Sequence, residues 1–283
     1  PIFVIVVFVG VLSLMLVLFA LYFVFCENYE IAGIFGILSF FVRQNNVIWM
    51  AFLCALIYYD RNGFRINFKV IREFLIDIWV FILGFIITII FVIINGGFAI
   101  GDKSAHPAFS FHLGNLFFIL FFFFFLFLPL NIYNFFKIID FVKKKKWVWI
   151  VIIGIFLIYM QFFIVNHPYN FLAPEYFLRN TVLLYFISHL FLKIIFFLFI
   201  IYSLLSLCII KFRNKGFYLL YPFSILFLIP SWLIEQRYYL IPFILFILFK
   251  KEENKLVEWI TVIAYIFLSL FLFYGIGKGW FFL

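Results

Sequence analysis

Long apolar runs with almost no charge are the feature of this sequence that most constrains its fold. A helix of ~20 apolar residues can cross the ~30 Å hydrocarbon core of a bilayer. The clear runs of this kind are residues 1–25, 78–100, 109–130, 147–165, 181–210, 217–234 and 256–274. A shorter run covers 238–249, and a further run at 31–59 contains polar residues. The sequence therefore predicts about eight to ten membrane-spanning helices.

The composition excludes the other fold classes. Apolar residues make up 69% of the 283 residues and charged residues 12%, whereas soluble domains have ~45–50% and ~25%. So few polar groups cannot cover an apolar core, which excludes a soluble domain, and a chain this hydrophobic does not remain disordered. The runs are continuous rather than alternating, which excludes a transmembrane barrel. The predicted fold class is all-α, a polytopic transmembrane helical bundle that forms a single domain over residues 1–283.

Neither the aromatic residues nor the cysteines indicate a binding site. Phenylalanine occurs 51 times, and we expect the run FFFFFLF at 121–127 to face lipid. The cysteines are far apart and lack the spacing of a zinc site, so no metal site is predicted.

The basic residues predict the orientation of the chain. Four loops carry most of the lysines and arginines, namely 60–77, 131–146, 211–215 and 250–255. Basic loops remain on the cytoplasmic side of a membrane, so these four are predicted to be cytoplasmic. The basic-poor loops 101–108, 166–180 and 235–237 are then predicted to lie on the far side. The net charge of +9 is thus mainly a topology signal, and no nucleic-acid partner is expected.

The run at 31–59 has two possible arrangements. A single crossing would place Arg43, Gln44, Asn45 and Asn46 at mid-depth in the membrane. Two short half-spans would place them at the far-side surface or in a cavity. In both arrangements Arg43 is expected to face protein or water, because a charged side chain in lipid is costly.

The richest polar cluster follows the run at 78–100. Asp102, Lys103, Ser104 and His106 occur within five residues after a glycine-rich segment. Lysine, serine and backbone N–H groups could hold a phosphate, and Asp102 or His106 could polarise a hydroxyl. The alternative is a solvated loop that only connects two spans.

Two further polar clusters are predicted on the far side. In the loop 166–180, His167, Glu175 and Arg179 could line a polar site, or the loop could serve only as an interfacial anchor. Glu235 and Arg237 lie between two apolar runs, where charges must be paired or hydrated, and a structural ion pair is the alternative to a binding role.

These clusters carry a resemblance to a known family. The sequence resembles the dolichyl-phosphate-glucose α-1,2-glucosyltransferases, which add the last glucose to the lipid-linked oligosaccharide. The resembling stretches, in the family's order, are FFVRQNNVIW at 40–49, VIINGGFAIGDKSAHPA at 92–108, NHPYNFLAP at 166–174 and EQRYYLIPFILF at 235–246. The resemblance covers the whole chain, and it matches roughly the last three-fifths of the family. It implies a GT-C glycosyltransferase fold and a multi-pass location in the endoplasmic reticulum membrane.

The resemblance also implies roles for individual residues. The donor would be dolichyl-phosphate glucose, the acceptor the lipid-linked oligosaccharide of N-glycosylation, and the transfer inverting, with no separate cofactor. Asp102 and His106 are the catalytic candidates, although the main base is expected outside this chain. The substrate-binding candidates, with the cations placed near phosphate, are Arg43, Gln44, Lys103, Ser104, His167, Glu235 and Arg237.

Two departures from the family pattern keep alternatives open. The acidic pair of the family's first lumenal loop has no counterpart here, so we expect the N-terminal spans and that loop to lie outside this chain. The family's Asp-Asn-Arg-His-Tyr run is replaced by Pro-Glu-Tyr-Phe-Leu at 174–178. A polyprenyl-phosphate-sugar transferase with another acceptor, or a non-catalytic membrane homologue or scaffold, are the alternative functions.

Overall fold

A computed structural model describes residues 2–98, 111–171 and 177–282, and within these ranges the ordered elements are helices. The α-helices are α1 (Ile2–Phe25), α2 (Tyr29–Val42), α3 (Val47–Asn62), α4 (Phe68–Asp77), α5 (Trp79–Asn95), α6 (Gly114–Leu126), α7 (Leu128–Lys144), α8 (Trp147–Phe162), α9 (Pro168–Phe171), α10 (Leu178–Ile187), α11 (Leu190–Ile209), α12 (Leu220–Leu228), α13 (Leu240–Phe249) and α14 (Lys255–Gly277). Short 3-10 turns cover Gln44–Asn46, Lys215–Leu219 and Gln236–Tyr239. The predicted all-α class is confirmed.

The chain forms two compact units. The first unit comprises the described residues of Pro1–Ser110 together with Phe212–Pro230 and Arg237–Phe249. The second comprises the described residues of Phe111–Lys211 and Lys250–Leu283, together with Ser231–Gln236. The single domain expected from the sequence stays a prediction.

In the first unit, small residues allow helices to approach closely. A Cβ atom added at Gly33 in α2 would lie 2.7 Å from Cβ of Val80 in α5, which is closer than real side chains come. Trp49, Phe52 and Phe81 are fully buried nearby and fill the interior of the unit. Glycine therefore brings α2 and α5 together, as small residues do in membrane helix pairs.

Stacked aromatic rings form the centre of the second unit. Phe121 in α6 stacks on Phe196 in α11 with ring centroids 4.4 Å apart, and Phe196 stacks in turn on Phe163 at 5.1 Å. Phe121, Phe123 and Phe127 are all less than a tenth exposed, whereas Phe125 is 47% exposed. The prediction that the run 121–127 faces lipid is therefore wrong for the three buried rings, which pack against neighbouring aromatic residues.

Helix lengths differ from the spans expected from hydropathy. Within the described residues, α11 and α14 are long and apolar enough to cross a membrane, and up to four spans result if the bent pairs α4–α5 and α6–α7 each count as one. The predicted span 181–210 breaks at Ser188 and His189 into α10 and α11. Helices also extend into two predicted loops, because α4 lies in 60–77 and most of α7 lies in 131–146.

The run at 31–59 forms two helices that meet at a break. Arg43 has extended backbone geometry, with φ of −152°, and ends α2. The side-chain amide of Asn46 donates hydrogen bonds to the carbonyl oxygen of Ser39, at 2.9 Å, and to Oγ of Ser13, at 2.7 Å. Asn46 is fully buried, and its amide is a second donor to this carbonyl oxygen, which also accepts the backbone N–H of Arg43 at 2.9 Å. The polar interruption in the sequence therefore marks a change of helix.

A second break separates α6 and α7, which are bent by 98°. Pro129 stands in the first turn of α7, where its missing N–H group is tolerated. The amide nitrogen of Asn131 donates to the carbonyl oxygens of Phe124, at 3.0 Å, and Phe123, at 3.4 Å. Asn134, one turn later, is also fully buried, but its amide nitrogen and oxygen have no hydrogen-bond partner among the described residues.

These two asparagines predict opposite effects of the same substitution. Asn131→Leu removes the side-chain donor to the part-buried carbonyl oxygen of Phe124 and should destabilise the protein by ~1–3 kcal/mol, whereas Asn134→Leu removes an unsatisfied group and should be neutral or stabilising. Thermal unfolding of each purified variant in detergent measures the difference. Equal losses of stability in both variants would contradict the assignment of the hydrogen bonds to Asn131.

Candidate functional site

The second unit buries a polar network around the segment 231–236, which we call the Glu235 network. Its members are Asn115 at the start of α6, Asn170 in α9, Arg179 and Asn180 in α10, and Glu235. The three asparagines are fully buried, and the exposed fractions of Arg179 and Glu235 are 9% and 4%. Buried polar groups must find partners, because an unsatisfied group costs the full desolvation penalty.

Asn115 holds the segment through its backbone. Its amide nitrogen donates to the carbonyl oxygens of Ser231, at 2.8 Å, and Leu233, at 2.9 Å. Its amide oxygen accepts from the backbone N–H of Glu235 at 3.2 Å. Gly114 lies beside this contact, and a Cβ atom there would come within 2.6 Å of Ile234. The Asn115 side chain thus makes the hydrogen bonds that a helix or sheet would otherwise provide to this backbone. It thereby binds the segment to the start of α6.

Asn170 also binds the segment, and Asn180 binds the short helix α9 that carries Asn170. The amide of Asn170 exchanges two hydrogen bonds with the backbone of Ile234, donating to its carbonyl at 3.0 Å and accepting from its N–H at 3.2 Å. The amide of Asn180 donates to the carbonyl of Tyr169 at 3.0 Å. The 166–171 and 231–236 segments are therefore joined directly, although they are far apart in the sequence.

A buried ion pair completes the network. Nη1 of Arg179 lies 2.6 Å from Oε1 of Glu235, and Nε of Arg179 donates to the amide oxygen of Asn180 at 3.3 Å. Removing two charges from water is costly, and such a pair is tolerated only with good geometry and further hydrogen bonds. The structure thus gives Glu235 the structural ion pair that the sequence left as an alternative, and its partner is Arg179.

Imidazole and indole rings line one edge of the network. Trp232 stacks on His112, with centroids 5.8 Å apart, and meets His167 edge-on at 4.7 Å. Its indole N–H donates to Oδ1 of Asn166 at 2.6 Å. The two imidazole rings and the indole ring thus form one aromatic cluster beside the network.

His167 has a defined tautomer in this arrangement. It is almost fully buried, and its Nδ1 accepts the backbone N–H of Tyr169 at 3.1 Å. Because Nδ1 is an acceptor, the neutral ring carries its proton on Nε2. His167 therefore fixes the turn that enters α9.

Arg43 lies in the first unit between two aromatic rings. Its guanidinium carbon is 4.5 Å from the ring centroid of Tyr238 and 5.9 Å from that of Phe227. Trp49 packs on the same Phe227 ring at 5.2 Å. Cation–π contacts hold the arginine in place, and they bring it beside the residue that follows Arg237. Gln44 lies in the 3-10 turn directly after Arg43.

The structure brings some of the predicted site residues together. His167 and Glu235 lie in the second unit, where their segments are joined, and Arg43, Gln44 and Arg237 lie in the first unit. The cluster of Asp102, Lys103, Ser104 and His106 lies outside the described residues, as does Glu175. The roles of all these residues in substrate binding or catalysis stay predictions.

Sequence reasoning missed the residues that hold the Glu235 network together. Asn115 and Trp232 were not candidates, because each stands alone in or beside an apolar stretch, and Asn170 and Asn180 were passed over in favour of the ionisable residues of the loop 166–180. The available signal was the cost of burying a lone amide in such a stretch, which requires a partner.

Comparison with known proteins gives the family. The profile of the DIE2/ALG10 family matches residues 2–63 and 59–248. The chain belongs to the DIE2/ALG10 family. The resemblance stated from the four motifs is thereby confirmed. No solved structure matches the chain.

Two curated relatives in this family carry the same name. A Candida albicans protein named Dol-P-Glc:Glc(2)Man(9)GlcNAc(2)-PP-Dol alpha-1,2-glucosyltransferase is 31% identical over 268 residues, covering 87% of this chain and 58% of that protein. A Drosophila melanogaster protein of the same name is 25% identical over 281 residues, covering 86% of this chain and 61% of that protein. The chain thus spans about three-fifths of the length of these relatives.

Breaking the ion pair of the Glu235 network should lower the stability of the protein strongly, and removing both charges should restore it. Arg179→Met leaves a buried, uncompensated carboxylate and should lower the free energy of unfolding by ~3–5 kcal/mol, whereas the double variant Arg179→Met/Glu235→Leu should recover most of the loss. Thermal unfolding in detergent measures both variants.

The exposed pair Lys69–Glu73, with side chains 84% and 62% exposed, provides the control. Glu73→Gln should change stability by less than ~0.5 kcal/mol. A double variant as unstable as Arg179→Met would show that the two charges do not compensate each other.

Proposed function

We propose that the full-length protein transfers glucose from dolichyl-phosphate glucose to the lipid-linked oligosaccharide of N-glycosylation, forming an α-1,2 linkage with inversion. The observation that carries this proposal is the 31% identity to the Candida albicans enzyme across 87% of the chain. We further propose a GT-C type fold with about eight to ten spans in this chain, inserted as a multi-pass protein in the endoplasmic reticulum membrane.

Contacts between loops support the orientation in this proposal. The segments 166–171 and 231–236, both in or next to loops predicted on the far side, bind each other through Asn170 and Ile234. Loops predicted on the cytoplasmic side also meet within each unit. In the first unit, Asn214 donates to Asp60 at 3.0 Å.

The second unit contains the same kind of contact. The backbone N–H of Lys251 donates to the carbonyl of Lys211 at 2.8 Å, and Lys137 pairs with Glu253. Loops on opposite membrane surfaces are separated by ~30 Å of hydrocarbon and cannot touch. Each of these contacts joins two loops that are predicted on the same side of the membrane, as the proposed topology requires.

The proposed chemistry needs positive charge at the departing phosphate and a base at the acceptor hydroxyl. Inverting transfer from a lipid phosphate releases negative charge as the sugar–oxygen bond breaks, and fixed cations stabilise that charge. We assign Lys103, Arg43 and Arg237 to the phosphate, and Asp102 and His106 to ordering the reacting groups. We expect the main base, which takes the proton of the acceptor hydroxyl, outside this chain.

Substrate contacts are proposed for four further residues. Ser104 is assigned to the phosphate beside Lys103, and Gln44, His167 and Glu235 to the sugar groups. Because Glu235 is already paired with Arg179, it would contact the substrate as part of this ion pair and would not transfer a proton.

A related transferase with another acceptor is the second candidate. The replacement of the family's Asn-Arg-His-Tyr run by Glu-Tyr-Phe-Leu at 175–178 favours it, since this stretch lacks the arginine and histidine with which the family could recognise its acceptor. A non-catalytic scaffold is the remaining alternative.

An activity assay distinguishes these functions. The full-length protein should transfer glucose from dolichyl-phosphate glucose to the diglucosylated lipid-linked oligosaccharide, and Lys103→Ala should reduce the rate by ~10²–10³-fold because it removes a cation from the developing charge. Lys278→Ala, an exposed lysine at the end of α14, is the charge-matched control.

Each outcome has a separate meaning. Transfer to another lipid-linked acceptor would support the second candidate, and no transfer from the lipid donor to any acceptor would support the scaffold. An unchanged rate in a normally expressed Lys103→Ala protein would remove Lys103 from the phosphate site.

The orientation has its own test. A glycosylation acceptor site inserted with a spacer at 101–107 should be modified, because this loop is predicted to face the lumen, whereas the same insertion at 143–146 should remain unmodified. Modification is read from the gel mobility before and after glycosidase treatment. The reverse pattern would overturn the proposed orientation.

A further inference from the structure

Helix α4 presents a surface that the proposed function does not use. The helix begins after Asn67, whose side chain accepts the backbone N–H of Val70 at 2.8 Å. Its inner face packs on the end of α3, where the rings of Phe74 and Tyr58 meet edge to face at 5.0 Å. Asp77 pairs with Arg61 on the same side. The helix is thus fixed to the first unit by one face only.

The outer face of α4 is apolar and exposed. Phe68 is 85% exposed and Leu75 46%, and Ile71 between them is 38% exposed. These residues follow the spacing i, i+3, i+7 and therefore form one stripe along the helix. Phe64 and Ile66, just before the helix, are 86% and 79% exposed. An exposed stripe of this size indicates an interaction surface.

The bend between α4 and α5 forms a groove. The two helices meet at 75°, and the groove of about 500 Å³ between them is lined by Phe68, Ile71, Arg72, Leu75, Ile76 and Trp79. The indole N–H of Trp79 donates to Oε1 of Glu30 at 3.0 Å, so the wall formed by this ring is fixed. If α5 crosses a bilayer, a 75° bend places α4 nearly parallel to the membrane surface.

Positive charge lies at the border of the apolar stripe. Arg72 lines the groove, and no hydrogen bond or ion pair engages its guanidinium group within the part of the chain that the structure describes. Lys69, one turn earlier, is 84% exposed and only 3.9 Å from Glu73, an exposed pair that neutralises little of its charge. Amphipathic helices with this distribution lie in the membrane interface and attract anionic lipids.

We propose that the α4–α5 groove binds one anionic phospholipid, with an acyl chain against Phe68, Ile71 and Leu75 and the phosphate at Arg72. The apolar lining fits a hydrocarbon chain, and a guanidinium group binds phosphate oxygens with paired hydrogen bonds. Arg72 lies next to the apolar stripe rather than within it. A phospholipid needs this arrangement, because its charged phosphate lies at the end of its acyl chains.

Native mass spectrometry of the full-length protein tests the site. The protein is reconstituted in phosphatidylcholine nanodiscs containing phosphatidylserine and then released, and the lipids it retains are counted. Arg72→Gln should reduce retained phosphatidylserine about fivefold, since one basic residue at a membrane surface contributes about a factor of that size. Retained phosphatidylcholine should be unchanged, and Arg72→Lys should keep most of the effect.

Two matched variants separate charge from apolar contact. Lys278→Gln removes an exposed cation from the end of α14 and should leave both lipids unchanged. Ile71→Ser should reduce both lipids, because it removes acyl-chain contact without changing charge. Equal retention of phosphatidylserine by the parent and Arg72→Gln, or an equal loss in Lys278→Gln, would overturn the proposal. Unchanged thermal unfolding of each variant shows that the fold is intact.

Photocross-linking identifies what covers the stripe. A p-benzoylphenylalanine introduced at Phe68 should form phospholipid adducts in membranes, whereas the same group at Phe74, on the inner face, should form adducts within the chain. A protein adduct at Phe68 would show that a partner protein covers this face and would overturn the lipid assignment. Neither experiment measures glucosyl transfer. A negative result would therefore overturn the lipid site without bearing on the proposed function.

Discussion

The satisfaction of backbone hydrogen bonds in apolar surroundings is the constraint on which this structure depends. A helix satisfies its own backbone groups, but each place where a helix stops needs another donor or acceptor. Only 12% of the residues are charged, and buried asparagine side chains meet this need. Asn131 does so at the α6–α7 bend, and Asn115 and Asn170 along the segment 231–236. At the α2–α3 break, Asn46 adds a second donor to a carbonyl that already accepts a backbone N–H. At these places in the described chain, buried amides therefore hold the backbone where the helices stop.

The same constraint connects the fold to the proposed function. Irregular backbone at membrane depth is tolerated only where protein or water covers it, and such places are where transporters and enzymes bind substrates. The segment 231–236 is irregular, yet Asn115 and Asn170 hold it on both sides, and the Arg179–Glu235 pair fixes its end. A site on this segment would be rigid before substrate arrives, which saves the ordering cost of binding.

The sequence predicted the type of element better than its extent. Hydropathy measures how apolar a stretch is but carries no direction, so it could not predict the break at Ser188 and His189 or the bend after Leu126. The helices α4 and α7 extend into basic loops because the lysine and arginine residues of these loops are good helix formers. A structural ion pair was one of two alternatives for the cluster 235–237, but the partner of Glu235 lies 56 residues away, and no local pattern identifies such a pair.

Arg179 and Arg43 have different environments in their respective units. Arg179 faces the carboxylate of Glu235 at 2.6 Å, so its charge is neutralised within the network and contributes little at a distance. Arg43 contacts the rings of Tyr238 and Phe227, and aromatic rings contribute a quadrupole but no formal charge. These cation–π contacts hold the guanidinium group in place. The charge of Arg179 could meet a substrate phosphate only if its buried pair with Glu235 were broken, at the cost of leaving an uncompensated buried carboxylate. The geometry therefore argues for a structural role of Arg179 in the second unit.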